Sequence, residues 1–485
     1  DLCRKIENAY QYGKEAQGSL APERVFSPVA QAPAPVVKQE IDPWVAKLNE
    51  KFAVVSERGR TLVYSDGWDS ERNCPIWIPS TFEDFKKLHQ NQFVSDGNSH
   101  RRPIGDEWLK NPGRRQFPDG VRFAPRQSVP DGVLNLWRGF AYKPLKGDWS
   151  LLREHIRLVI CGGEESLYEY VMNWMARCVQ KPGEAGQVAL VLRGGKGVGK
   201  GTLGDLFGHL FGPHYLHLSS SQSLVGNFND HLRTAIFVFC DEAFFAGDRK
   251  SEGVLKSLVT ERLIHIEAKY KEAAPARNVT HILMASNSEW VVPASADERR
   301  YCVIDVSDAR RNDHKHFAAM RLQMEQGGFG AMLHDLIERD ISEFIVSEVP
   351  KTRALADQKT RSLRGTDAWL HEILSEGSVG QIEWGESGVE VPKMHAYGLY
   401  VAFSKLSNAF ASDRDSQVGK VLKATLGNLV SEHRPNHEGL RERCWRFAGL
   451  SQCRERFTEK HGIGFEECGE GPTPQISVPT TEEAN

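Results

Sequence analysis

The sequence predicts an α/β protein whose central sheet is largely parallel, and two observations support this. Apolar, strand-like runs recur at 188–192, 235–240, 264–268, 281–286 and 302–306, and helical patterns lie between the early ones. The first run enters a loop with five glycines and two lysines, after which an apolar helical segment follows at 203–211. Strands that alternate with helices are typical of a parallel sheet covered by helices.

The chain before this sheet divides into three parts. Residues 1–44 predict a polar helix at 1–18 and a Pro/Ala-rich linker at 21–37. Residues 45–147 predict a small β-rich accessory region with strands at 52–55 and 61–64, and their composition does not reveal a role. Residues 148–185 predict a helical lead-in with helices at 151–160 and 166–179, in which we interpret Trp174 as a core residue.

The glycine-rich loop has the order of residues that a phosphate-binding loop needs. Glycines let backbone N–H groups approach phosphate oxygens, and the following helix N-terminus adds its dipole. The pattern G-x-x-x-x-G-K runs from Gly194 to Lys200, whose charge would act on the β- and γ-phosphates. The eighth position is expected to be Ser or Thr for Mg²⁺, yet it is Gly201. The candidate nucleotide-binding residues are Gly194, Gly195, Lys196, Gly197, Val198, Gly199, Lys200, Gly201 and Thr202.

Polar residues follow two further apolar strands. Asp241 and Glu242 end the first of these, at the carboxyl edge where ligands of α/β folds bind. Asp241 is the candidate Mg²⁺ ligand, and Glu242 the candidate base that orients and deprotonates water. Asn287 ends the second strand and is expected to contact the γ-phosphate or its water, although such a residue also commonly caps a turn. We therefore expect ATP and Mg²⁺ as cofactors.

Arg299 and Arg300 stand just before the last strand. Two arginines at such a place commonly form surface ion pairs. In an oligomeric ATPase, an arginine that reaches the neighbouring subunit's site instead stabilises the charge that develops during phosphoryl transfer.

The ATPase domain is expected to cover residues 186–345. Residues 346–465 predict a C-terminal winged-helix-like domain, with helices at 368–375, 397–410 and 416–429 before a strand at 441–448. Residues 466–485 form a polar tail.

Bulk composition describes an ordinary globular protein, with 40% hydrophobic and 26% charged residues in 485. The net charge of −3 gives no global basic field, so DNA contacts would need local patches. Nine cysteines without metal spacing favour free thiols in a reducing compartment. No membrane-length apolar run or signal peptide is present, which indicates a cytoplasmic protein, in the bacterial host if a phage or mobile element encodes it. A start at Asp1 instead of methionine predicts a fragment or processed product.

Four motifs in order carry a family resemblance: GGKGVGKGTL, FVFCDEAFFAGDRKSEGVLKSLVTE, IHIEAKYKEA and ILMASNSEWVVPASADERRYCVIDV. Across 188–306 the chain resembles superfamily 3 helicases, most closely the primase-helicases of phages, plasmids and other mobile elements. The resemblance implies an AAA+-type domain, a homo-hexameric ring and 3′-to-5′ movement on single-stranded DNA.

By position, the resemblance makes Lys200 the phosphate-loop lysine, Asp241 and Glu242 the metal-binding and catalytic acids, and Asn287 the sensor. Arg300 then fits the finger that acts on the neighbouring subunit, with Arg299 as substitute.

The family's DNA hairpin falls at Lys269, Tyr270 and Lys271, whose charges and ring suit phosphates and a stacked base, although an exposed charged turn has the same composition. The opening IENAYQYGKEAQGS also resembles the spacer after a primase–polymerase domain, which predicts such a domain in the same or a partner chain.

Gly201 departs from the family pattern and leaves the metal ligand open, with Thr202 as the candidate. Two other classes remain. A nucleoside monophosphate kinase shares the pattern GGxGxGKGT, and a nucleotide-gated DNA-binding switch would bind DNA without unwinding it. The Asp-Glu pair followed by Asn287 fits a hydrolase better than a kinase.

Overall fold

The computed structural model describes residues 41–72, 74–95, 101–220, 224, 226, 229–242, 249–267, 273–295, 297–406, 413–434, 436–437 and 440–465. The helix predicted at 1–18, the linker at 21–37 and the tail at 466–485 lie outside these residues, as do Lys269, Tyr270 and Lys271.

The accessory region contains a four-stranded sheet in the order β3-β2-β1-β6, with antiparallel pairs except for β1 and β6. The strands predicted at 52–55 and 61–64 are confirmed within β1 and β2. Apolar residues on both faces of β1 bury it between two small cores. Its elements are α1 Pro43–Lys51, β1 Phe52–Glu57, β2 Arg60–Asp69, β3 Cys74–Ser80, α2 Phe82–Leu88, β4 Phe93–Ser95, β5 Arg101–Pro103, α3 Ile104–Lys110, β6 Gln116–Phe117, β7 Val121–Arg122 and β8 Leu134–Asn135.

The central sheet has five strands in the order β10-β11-β14-β9-β15, and every pair of neighbouring strands is parallel. The interiors of its middle strands are buried on both faces, which explains their continuous Val, Ile, Leu and Phe content. The strands are β9 Ala189–Arg193, β10 Tyr215–Leu218, β11 Phe237–Asp241, β14 His281–Ser286 and β15 Tyr301–Asp305. The parallel sheet and four of its strands are therefore confirmed, whereas β10 has no counterpart among the predicted strands.

One predicted strand of this sheet was assigned wrongly. The run at 264–268 forms β12 Leu263–Ile266, which pairs antiparallel with β13 Ala274–Arg277 in a separate hairpin. Only alternate residues of β12 are buried, so the strand covers a core with one face and cannot occupy the middle of a parallel sheet.

Helices cover the central sheet. The predicted lead-in helices are confirmed, the first continuing as a π-helical turn over Ile156–Ile160. Trp174 is a core residue as interpreted, and its indole N–H donates to the Val188 carbonyl at 2.9 Å. The helices are α4 Ser150–His155, α5 Glu165–Gln180, α6 Lys200–Gly208, α7 Arg249–Thr260, α8 His314–Gln323 and α9 Phe329–Glu338.

The C-terminal part has its own core, in which Trp369, Tyr400 and Trp445 are fully buried. A three-stranded antiparallel sheet, β18-β22-β19, packs against helices at the predicted places. Strand β22 corresponds to the predicted strand at 441–448, whereas β18 and β19 were not predicted. Its elements are α10 Arg353–Ser362, α11 Gly365–Glu376, β16 Ser378–Val379, β17 Ile382–Glu383, β18 Val389–Pro392, α12 Lys393–Leu406, α13 Asp415–Leu426, β19 Val430–His433, β20 Asn436–His437, β21 Leu440–Arg441, β22 Cys444–Phe447 and α14 Leu450–His461.

Within the described ranges no helix is both long and apolar enough to cross a bilayer. The seven cysteines found there are free and buried.

Candidate nucleotide site

The glycine-rich loop connects the end of β9 to the start of α6 and turns by means of two left-handed glycines. Gly197 has φ +78° and Gly199 has φ +99°. A Cβ on Gly197 would lie 2.1 Å from the Asn312 side-chain oxygen, and one on Gly199 would lie 2.4 Å from Nε2 of His155. Both conformation and space therefore require glycine at these two positions.

Helix α6 directs its N-terminus at the loop. No side chain caps this end, so its first N–H groups remain available to an anion. Buried Leu203 and Phe207 anchor the helix, and Gly204 approaches so closely that a Cβ would lie 2.5 Å from the Phe239 ring of β11. The helix end is thus fixed relative to the strand that carries the acids.

Lys200 begins α6 and is only 6% exposed. Its ammonium donates to the carbonyls of Gly194 and Gly195 at 2.8 and 2.7 Å, and to Oδ1 of Asn287 at 2.9 Å. Burial lowers the pKa of Lys200, while the carboxylates of Glu242 and Asp241 oppose that shift. The ammonium thus already points to the predicted sensor residue.

The two acids lie at the carboxyl end of β11. Asp241 is half-buried, and its carboxylate lies 4.0 Å from Nε2 of His217 on neighbouring β10. Glu242 is exposed and has φ +53°, an uncommon conformation for a residue with a side chain. Its N–H donates to the Ala285 carbonyl at 2.9 Å, and its Oε1 accepts from the Asn287 N–H at 3.1 Å.

These side chains surround one cavity of about 480 Å³. Residues that the sequence analysis selected and that line it are Lys196, Gly197, Val198, Gly199, Lys200, Gly201, Thr202, Asp241, Glu242 and Asn287. Gly194 and Gly195 do not line the cavity, but their carbonyls accept hydrogen bonds from the Lys200 ammonium. The geometry provides the buried Lys200 ammonium, helix N–H groups without a side-chain cap and the carboxylates of Asp241 and Glu242, a set suited to a polyphosphate with a divalent ion.

Sequence analysis missed one wall of this cavity. Asn312, His314, Phe317 and Arg321, before and along α8, form this wall, and Asp205 on α6 is a further lining residue that the sequence analysis did not select. The Asn312 N–H donates to the Gly197 carbonyl at 2.9 Å, and this residue has φ +58°. The positively charged Arg321 and the ring of Phe317 suit the outer parts of a nucleotide. No sequence motif marks these residues.

The residues present fit a divalent cation. Asp241 and Thr202 both line the cavity, and a Cβ on Gly201 would meet no atom within 4 Å. The described residues contain no group of three or more His, Cys, Asp or Glu side chains that could hold a metal ion, so phosphate oxygens and water would complete the ligand set. Carboxylate and hydroxyl oxygens are ligands that Mg²⁺ accepts together with phosphate oxygens and water.

Arg299 and Arg300 do not line this cavity. Arg299 is exposed, and Arg300 is half-buried with Nη1 3.3 Å from Oε1 of Glu298. The same Glu298 oxygen accepts the backbone N–H groups of both arginines, at 3.0 and 2.8 Å. A buried carboxylate therefore holds the turn that presents the two arginines.

The chain is related to a phage replication protein. It is 25% identical over 225 residues to the DNA Primase-polymerase of Nitratiruptor phage NrS-1, a match covering 44% of this chain and 31% of the phage protein. A protein-family model, described as a family of unknown function (DUF5906), matches residues 192–300. This range includes the glycine-rich loop, both acids, Asn287 and both arginines.

Solved structures show the same fold. The apo structure of the NrS-1 C terminal region (305–718) superposes with a TM-score of 0.56 at 17% identity, covering 85% of this chain and 100% of that one. An A form apo structure of that region gives the same TM-score, with 84% and 98% covered. The chain thus shares its fold with this region of the phage protein and spans about a third of the curated relative's length.

Proposed function

We propose that this chain is the ATP-dependent helicase part of a phage or mobile-element primase-helicase, with an AAA+-type domain of superfamily 3. The observation that carries the proposal is the convergence of Lys200, Asp241, Glu242 and Asn287 on one cavity. Strand β14 lies between β9 and β11, so Asn287 stands between the phosphate loop and the acids. The relation to a phage primase-polymerase supports a role in replication of such a genome in the host cytoplasm.

In this proposal each residue acts on ATP by its position. Lys200 and the N–H groups of α6 hold the phosphates, while Asp241 and Thr202 hold Mg²⁺, which neutralises charge on the phosphate oxygens when bound. Glu242 takes a proton from the attacking water. Asn287, which bridges Lys200 and Glu242, contacts the γ-phosphate and reports its loss.

The proposed work on DNA needs an assembly. A homo-hexamer would place Arg300 or Arg299 of one subunit at its neighbour's cavity. The turn after β12 would carry Lys269, Tyr270 and Lys271 into a central channel around single-stranded DNA, with 3′-to-5′ movement as in the family. A primase–polymerase domain in the same or a partner chain would supply primers.

Two variants test the catalytic roles. Lys200→Ala removes the charge that holds the phosphates, so we expect loss of both ATP binding and turnover. Glu242→Gln keeps the shape and removes only the base, so binding remains while turnover falls by about 10²- to 10⁴-fold. Fluorescent-nucleotide binding and phosphate release measure the two steps. Lys315→Ala, an exposed lysine next to the cavity but outside its lining, is the control.

The same preparations separate the alternatives. DNA-stimulated hydrolysis with separation of a forked duplex supports the helicase. Phosphate transfer to a nucleoside monophosphate would instead indicate the kinase, and DNA binding that responds to ATP without strand separation would indicate the switch. Equal loss of ATP binding in Lys200→Ala and Glu242→Gln would contradict the assigned roles.

A further inference from the structure

A groove of about 420 Å³ lies between the accessory sheet and the β12–β13 hairpin. Three exposed arginines from three different elements line it: Arg58 in the β1–β2 turn, Arg122 on β7 and Arg277 on β13. None of their guanidinium groups has a carboxylate partner among the residues that the structure describes. We call this surface, defined by Arg58, Arg122 and Arg277, the basic groove.

The acidic residues of the groove do not neutralise these arginines. Glu57 is buried and engaged through both oxygens, by the guanidinium of Arg233 and by the hydroxyl of Tyr64 at 2.6 Å. Burial and the adjacent Glu57 carboxylate raise the pKa of Tyr64, so its hydroxyl stays protonated and keeps donating. Asp119 is the other carboxylate in the lining, and its side chain lies against Gly132, so three exposed arginines stand against one further acidic residue.

The groove is fixed to the hairpin of the ATPase domain. Arg233, which holds Glu57, lies in the short 3₁₀ helix Asp230–Thr234 that leads to β11. Asn229, just before this helix, donates from its side chain to the His265 carbonyl at 2.9 Å and accepts the Glu267 N–H at 2.8 Å. These contacts therefore join β1 of the accessory region, through Arg233 and Asn229, to β12 of the hairpin.

We propose that the basic groove binds the sugar–phosphate backbone of single-stranded DNA, which makes the accessory region a guide for the strand held by the hairpin. The inference rests on the proposed function for the nature of that strand. Guanidinium groups without protein partners are strong ligands for phosphate oxygens. A chain of net charge −3 must hold DNA through local patches of this kind.

The test compares three triple variants by fluorescence anisotropy with a labelled oligothymidylate over a salt series, with a non-hydrolysable ATP analogue present. Replacing Arg58, Arg122 and Arg277 by Ala removes three phosphate contacts. We expect the affinity to fall roughly tenfold or more. The slope of log affinity against log salt concentration should become shallower by about 2, at about 0.7 per phosphate contact. Replacing them by Lys keeps the charges, so most of the affinity and the slope should return.

The control removes the same charge elsewhere: Lys47, Lys146 and Lys420, all exposed and outside the groove, become Ala and should leave binding unchanged. Basal ATP hydrolysis and melting temperature should be unchanged in every variant, because these side chains lie outside the cavity and the cores. If the unaltered protein binds DNA and the groove Ala variant binds equally well with the same slope, the groove inference is wrong while the proposed function stands. If the unaltered protein binds no DNA, both are wrong.

Discussion

Glu242 shows how a single residue is placed for chemistry at some energetic cost. A non-glycine residue with φ +53° costs on the order of 1–3 kcal/mol, and the surrounding structure must enforce it. Two hydrogen bonds do so here, one from its N–H to the Ala285 carbonyl and one to its carboxylate from the Asn287 N–H. Strand β14 therefore sets the direction of the carboxylate, and any displacement of Asn287 would move the proposed base.

Site residues could be predicted from the sequence where a polar residue follows an apolar strand, as in known nucleotide-binding α/β proteins. Lys200, Asp241 and Asn287 each follow the end of an apolar strand, so a parallel sheet necessarily brings them to one edge. Phe317 and Arg321 could not be found in this way, because they reach the cavity only through the packing of α8 beside the loop. That packing is tertiary and has no local signature.

Gly201 offers a residue-scale prediction about the metal. Since a Cβ there meets no atom within 4 Å, Gly201→Ser should fold normally and gain up to about 0.5 kcal/mol from better helix propensity. Thr202→Val should raise the Mg²⁺ concentration needed for hydrolysis severalfold, and adding Gly201→Ser should reverse this by supplying a hydroxyl at the usual position. Magnesium titrations of phosphate release measure both. Unaltered magnesium dependence in Thr202→Val would remove Thr202 from the metal site.

Among the elements, helix α10 packs against the parallel-sheet domain although it follows that domain in the sequence. It follows the expected domain boundary at residue 345, yet Ala354 and Leu355 pack in the core beneath the parallel sheet. Its fully buried Gln358 accepts the N–H groups of Val291 and Val292 at 2.7 and 3.2 Å. The amide also donates to the Glu289 carbonyl at 2.7 Å. The segment after Asn287 is therefore held by a helix that leads into the C-terminal part.

We call the three hydrogen bonds of the Gln358 side chain the clamp. Gln358→Met preserves the side-chain volume but removes all three, so we expect a measurable effect. Leaving two buried N–H groups without partners, while the Glu289 carbonyl keeps its hydrogen bond from the Arg193 guanidinium, should cost roughly 2–4 kcal/mol. Hydrogen exchange at Val291 and Val292 should accelerate, and turnover should fall while ATP binding remains. Gln358→Glu retains the two acceptor bonds and should restore protection of these two amides. Unchanged exchange in Gln358→Met would show that the clamp does not hold this segment.

Element assignment from sequence succeeded where burial patterns differ clearly. The interiors of β9, β11 and β14 are buried on both faces and read as continuous apolar runs, as a parallel sheet requires. Strand β12 alternates exposed and buried residues, which is typical of a half-buried strand, but the prediction treated 264–268 as one more apolar run of the parallel sheet and was wrong. Strand β10 is short and only partly buried, so its local pattern was too weak to predict.

At the scale of the whole molecule, the position of the arginines bears on the proposed ring. Neither Arg299 nor Arg300 lines the cavity of its own chain, although Glu298 fixes the turn that carries them. The Arg300 Nε is buried and has no partner among the described residues. A positioned guanidinium on a surface turn is what the proposed ring needs, because each subunit would complete its neighbour's site.

The proposed ring therefore predicts that Arg300→Ala keeps ATP binding and loses turnover by 10³-fold or more, as arginine fingers generally do. Arg299→Ala identifies which of the two arginines acts. Mixing Arg300→Ala with Lys200→Ala protein tests the sharing directly, since a Lys200→Ala subunit still lends its arginine to the next intact phosphate loop. In an equal mixture about one site in four combines an intact loop with an intact neighbouring arginine. Independent sites should recover about that share of phosphate release, whereas coordinated firing around the ring should recover far less. Full hydrolysis by a dilute, demonstrably monomeric sample of the unaltered protein would exclude a finger supplied by the neighbour.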